Sequence, residues 1–171
     1  MVYIVGINDH CYQAINPKNN PYETEFRDYV LKQVQMKKIN HISEEMNDEL
    51  LRSQNDAQES VCRKIVEDLG LTHTMCEPTG YEKQQIGYVD KPWEDFLFEA
   101  DTNEKVNAAY FEFHKNQWHI RENFWCEKLE PYSNENVLFI CGAQHPIRFS
   151  KLLTRRGIKS RIVCKRWKPK M

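Results

Sequence analysis

Val137-Leu138-Phe139-Ile140-Cys141-Gly142-Ala143-Gln144-His145 decides how the rest of the chain is read. An unbroken apolar run that ends in a glycine and then a histidine fits a strand buried on both faces and followed by a tight turn. The chain opens on the same pattern, Val2-Tyr3-Ile4-Val5-Gly6-Ile7-Asn8-Asp9-His10. A third, alternating run, Ile39-Asn40-His41-Ile42-Ser43, leads directly into Glu44 and Glu45. Leu71 to Cys76 and Arg161 to Lys165 complete a set of about five strands.

Between these runs the spacing turns helical. Phe26, Tyr29, Val30, Gln33 and Val34 predict a helix over Tyr22 to Met36, after a loop from Pro17 to Pro21. Val61, Ile65, Val66 and Leu69 form one stripe of a helix expected from about Asp56 to Leu69, with Gly70 as its stop. A short helix is expected within Met46 to Gln54, and another from Pro146 to Arg156, stopped by Gly157. Residues 91–130 read as a helical segment inserted between strands, broken near Asp101-Thr102-Asn103. Strands alternating with helices predict an α/β fold with a mostly parallel central sheet and helices on both faces. Residues 1–171 are expected to form one such domain, because a chain of this length buries about two thirds of its unfolded surface.

Composition narrows the function classes. No apolar stretch approaches the ~20 residues needed to span a bilayer, and the N-terminus lacks the pattern of a signal peptide, so the expectation is a cytoplasmic protein without a membrane partner. The six cysteines include no CxxC pair, which excludes the usual zinc-ribbon and redox spacings. Cys11 and Cys141, flanking the two Gly/His turns, are minor candidates for nucleophiles. From Asn136 onward there are ten of the 24 Lys and Arg residues and none of the 25 Asp and Glu residues. This basic part, concentrated in residues 146–171, either pairs with the acidic remainder or contacts phosphate or nucleic acid.

Neither Gly-rich nucleotide fingerprint is present, since GxGxxG and GxxxxGK[ST] are both absent. The chemistry is expected instead at the carboxyl ends of the strands, where open α/β sheets bind ligands. His10 and His145 are candidate metal ligands there, with Glu45 as the carboxylate of a two-His-one-carboxylate site for a divalent metal such as Mn, Zn or Co. Glu44 is the candidate general base. Arg121 and Glu122 are further catalytic candidates on the helical segment, where Trp118, Arg121, Glu122 and Trp125 share a face and Arg121 is expected between two indoles. An arginine so placed suits a substrate anion or developing negative charge.

This order of motifs, Gly6 and His10, Glu44-Glu45, Cys76-Glu77-Pro78, Arg121-Glu122, then Gly142 and His145 before a helix, resembles the erythromycin-esterase-like, ChaN-like and TraB group, and small uncharacterised bacterial proteins with the same order. The resemblance implies metal-dependent hydrolysis of an ester or peptide-like bond in a small-molecule or peptide substrate. By that implication His10, Glu44 or Glu45, and His145 form the reactive centre and Arg121 assists. The ChaN-like branch implies haem as a less favoured cofactor, with His10, His145 or a nearby tyrosine as axial ligand. Three residues stand between Gly6 and His10 where the group has two, which either moves His10 off the site or lets Asp9 substitute for it. A non-enzymatic binding module for a phosphate-bearing ligand or nucleic acid is the alternative.

Overall fold

The computed structural model describes residues 1–15, 20–55, 57, 59–97 and 102–170. The strands are β1 (Val2–Ile7), β2 (His41–Glu44), β3 (Thr72–Met75), β4 (Val137–Gly142) and β5 (Ser160–Trp167). They form one sheet in the order β3-β2-β4-β1-β5, and every pairing is parallel. The helices are α1 (Glu23–Lys37), α2 (Asp48–Asn55), α3 (Val61–Leu69), α4 (Gly80–Gln85), α5 (Asn103–Leu129) and α6 (Pro146–Arg155). Short 3-10 turns occupy His10–Gln13, Trp93–Phe96 and Glu130–Tyr132.

Side-chain alternation along the strands divides the core in two. Val5 and Ile7 of β1, Ile42 of β2, and Leu138 and Ile140 of β4 pack with Phe26, Val30 and Val34 of α1 and with Val61, Ile65 and Val66 of α3. On the other face Val2, Ile4, Val137, Phe139 and Cys141 pack with Trp125, Cys126 and Leu129 of α5 and with Phe149 and Leu153 of α6. The chain leaves β1 for α1 on the first face and leaves β4 for α6 on the second. Because β1 and β4 are neighbours, their exits diverge to opposite faces, and the crevice at their carboxyl ends is the switch point at which such sheets take ligands.

Local signals explain most element ends. Ser60 caps α3 by accepting from the Arg63 N–H, so this helix begins at Val61 rather than Asp56, and Gly70 ends it at φ 64°. Asp56 itself lies outside the described residues, as do Pro17 and Asp101. Thr102 caps α5, which runs 27 residues, whereas Pro92 opens only a single 3-10 turn. Thr79 and Glu82 form a capping box at α4.

The two glycines of the opening pattern serve close approach rather than a turn. Gly6 lies within β1, and a Cβ there would stand 2.2 Å from the Lys165 carbonyl oxygen and 2.7 Å from Pro146 Cγ. Gly142 ends β4 facing the crevice, where a Cβ would stand 3.1 Å from His10 Nε2. No helix among the described residues is long and apolar enough to cross a membrane.

Candidate functional site

Adjacent residues of a strand face opposite ways, and this separates the two glutamates at the end of β2. Glu45 turns toward α5 and the crevice, buried at 4 % exposure. Its Oε1 pairs with Arg121 Nη2, and its Oε2 accepts the Gly142 N–H at 2.8 Å. Glu44 turns toward α3 and is wholly buried, where it accepts from Ser60 Oγ, from Gln13 Nε2 at 2.7 Å and from His73 Nε2 at 2.8 Å. Glu44 therefore stands behind the site and does not line it, and the expectation of a general base at this position is corrected.

His10 begins the 3-10 turn that follows β1. Its Nδ1 lies 2.7 Å from Gln13 Oε1, and its Nε2 lies 3.9 Å from Glu45 Oε2. Asp9, the alternative to His10, caps that turn by accepting the Cys11 N–H at 2.8 Å. His145 precedes α6 and is buried between two indoles, with ring centroids 4.9 Å from both Trp118 and Trp125. Its Nδ1 lies 2.9 Å from Glu122 Oε1 and its Nε2 lies 3.8 Å from Glu45 Oε1.

Arg121 and Glu122 take different partners from one turn of α5. Arg121 donates through Nε at 3.1 Å and Nη2 at 2.6 Å to Glu77 Oε2, in addition to its pairing with Glu45. Its guanidinium lies 5.2 Å from the Trp125 ring centroid and 5.9 Å from that of Tyr88. Trp118, expected as its second indole, is covered by Arg148 instead, at 5.3 Å. Arg148 Nε also stands 3.6 Å from Glu122 Oε2. No carboxylate lies within ion-pair distance of Lys151, Arg155, Arg161, Lys165, Arg166 or Lys168 among the described residues. The basic terminus is thus mostly unneutralised, and Arg148 is its contact with the site.

Burial and charge pull these groups in opposite directions. Burial alone would raise the Glu45 carboxyl, but His145, Arg121 and His10 together with the Gly142 N–H hold it at about 2. For Glu77 burial prevails: its carboxyl is raised, with Arg121 opposing and Glu45 reinforcing the shift. Arg121 is stabilised in its charged form by Glu77 and Glu45 despite desolvation. The cysteines beside the site are held in the thiol form. Burial and Asp9 push the Cys11 thiol up to about 12, and burial with Glu45 pushes that of Cys141 well above its ordinary range.

Above this floor lies a cavity of about 330 Å³, bordered by Glu45, Glu77 and Arg121 below and by Tyr88, Phe111 and Trp118 at the side. It adjoins a wider hollow of about 700 Å³, with which it shares Leu50, Lys83, Tyr88 and Asp90. The smaller cavity is also lined by His10, Lys83, Asp90 and His114, so ionisable groups make up about half of its wall.

The crevice meets the expected ligand set only in part. His10 and His145 each have Nδ1 against an acceptor and Nε2 toward the centre, as metal-binding histidines do. Tetrahedral ligands at ~2.1 Å stand about 3.4 Å apart, against the 3.8 and 3.9 Å measured from the imidazoles to Glu45. Glu45 does not fit as the third ligand, because Arg121 occupies one oxygen and would hold its positive charge against the ion. Haem fits less well, since both Nε2 atoms face a carboxylate where a porphyrin needs apolar walls.

No family model, curated protein or solved structure matches the chain.

The residues brought together are His10, Glu45, Arg121, Glu122 and His145. Gln13 and Glu77 join them without having been singled out by residue type, although Glu77 falls within the Cys76-Glu77-Pro78 motif. Gln13 carries no spacing signal at all. It is found only because the 3-10 turn places it between His10 and Glu44.

Proposed function

We propose that the crevice hydrolyses an ester or peptide-like bond of a small substrate, with His145 as the base. The observation that carries this reading is that His10 Nε2 and His145 Nε2 face the two oxygens of Glu45, at 3.9 and 3.8 Å, beside the buried Arg121. Both imidazoles present a lone pair there when neutral, and Glu45 is an acceptor. A group that brings protons suits the gap between each imidazole and Glu45, and water is the simplest. Imidazole is the side chain best able to take such a proton near neutral pH.

In this reading water attacks the substrate carbonyl carbon while His145 Nε2 takes its proton. The imidazolium is stabilised by Glu122 at Nδ1, as a carboxylate orients the histidine of a hydrolytic triad. Arg121, fixed by Glu77, faces the oxygen on which negative charge develops. Collapse of the adduct breaks the C–O or C–N bond, and the proton held by His145 passes to the leaving oxygen or nitrogen. The motif order shared with the esterase-like group supports the same reaction class.

Chromogenic esters and anilides of short acids test the reading. The wild-type chain should turn over at least one of them, and His145→Ala should lower kcat by roughly 100-fold or more. Equal rates for the wild type and a folded His145→Ala chain would remove the histidine from the mechanism. Chelator-treated protein should keep its activity; a requirement for Mn, Zn or Co would make His10 and His145 ligands instead.

A further inference from the structure

Glu44 lies outside the cavity, yet it is joined to the site by a chain of three side chains. Gln13 Nε2 stands 2.7 Å from Glu44 Oε2, and Gln13 Oε1 stands 2.7 Å from His10 Nδ1. An ionised carboxylate only accepts hydrogen bonds. Ser60 Oγ and His73 Nε2 approach the same carboxylate as donors, and their combined effect holds it in its charged form against the cost of complete burial. The Gln13 amide nitrogen must therefore face Glu44, which leaves its carbonyl oxygen facing His10. A carbonyl also only accepts, so the hydrogen of a neutral His10 must sit on Nδ1.

We infer that Gln13 is a positioning residue through which Glu44 fixes the tautomer of His10, leaving the Nε2 lone pair directed at Glu45 and Gly142. A solvated imidazole prefers the opposite tautomer, with its hydrogen on Nε2. That form would point a donor at the centre and leave the Gln13 carbonyl against a second lone pair. Position 44 thus acts on the site from the far face of the sheet. It does so without touching substrate, by fixing which end of one amide faces one imidazole. His145 reaches the same tautomer by a separate route, through Glu122. The two histidines are set alike by unrelated partners.

The consequence for water activation rests on the hydrolytic reading, but the tautomer does not, and nitrogen NMR of the imidazole rings measures it directly. The full chain is labelled with ¹⁵N and observed at about pH 8, above the ordinary histidine range, with His10→Gln identifying the His10 signals. Wild-type His10 should show a protonated Nδ1 and an unprotonated Nε2. Gln13→Leu should shift it toward the Nε2-protonated form, and Glu44→Gln should do so as well, since an amide at position 44 can donate and frees Gln13 to turn over. A wild-type His10 protonated on Nε2 overturns the inference without reference to any variant. So does a tautomer unchanged in folded Gln13→Leu and Glu44→Gln chains. If no ester or amide is hydrolysed but the tautomer behaves as stated, the positioning role stands and the hydrolytic reading falls.

Discussion

Gly6 and His10 illustrate how a residue's visible role and its actual one diverge. Glycine near a strand end suggests a backbone bend, but Gly6 has its partner in the Lys165 carbonyl, where any Cβ would stand 2.2 Å away. Gly6→Ala should therefore cost about 1–3 kcal/mol or more in urea unfolding, because the clash is with backbone rather than with a flexible side chain. A midpoint equal to wild type would show that β5 can shift without cost. At the same scale, His145 and Arg121 were legible because imidazole and guanidinium are conspicuous beside apolar runs. Glu45 was legible as half of a pair. Which glutamate faces the crevice follows from the strand's alternation, and choosing the correct parity requires knowing which face α5 covers. Gln13 has no such signal, since its importance lies entirely in what stands on either side of it.

Among the elements, α5 has the widest reach. Trp125 and Leu129 enter the core beneath β4, while one turn earlier Arg121 ties the helix to the ends of β2 and β3 through Glu45 and Glu77. Removing one member of a buried ionic cluster leaves the others uncompensated and commonly costs about 3–5 kcal/mol. Arg121→Met should fall in that range by chemical denaturation, and adding Glu45→Gln and Glu77→Gln to it should recover much of the loss. Failure of the triple variant to regain stability would mean that the guanidinium contributes by stacking on Trp125 and Tyr88 rather than by charge. The helix pattern from Asn103 onward was readable from its spacing. Its anchoring was not, because the carboxylates that hold it lie 76 and 44 positions away in the chain.

For the whole molecule, the class of fold followed from the alternation of apolar runs and helical stripes, whereas the strand order did not. Placing β4 between β2 and β1 depends on which faces the connecting helices cover, and no local signal records that. Acid sensitivity is a property at this scale. His41, buried against Ser43 and Thr72 and stacked on Tyr132, is pushed down from 6.5 to about 4, first by burial and then by His73. A histidine kept neutral by the fold stabilises it above the unfolded value, and that stability is lost as pH falls from 6.5 toward 4. Glu45 adds a second loss as pH falls from 4.5 toward 2, which the raised Glu77 carboxyl partly offsets. The pH dependence of urea unfolding should thus be flatter between 6.5 and 4 in His41→Gln than in wild type; parallel curves would remove His41 from the explanation. The sheet also ends in two unequal edges, four residues at β3 and eight at β5. A long open edge invites a second copy to add strand to strand, and exposed Arg161, Lys165 and Arg166 along β5 oppose that by mutual repulsion. Protection of this edge against strand addition therefore resides in unneutralised charges, and salt that screens them weakens it.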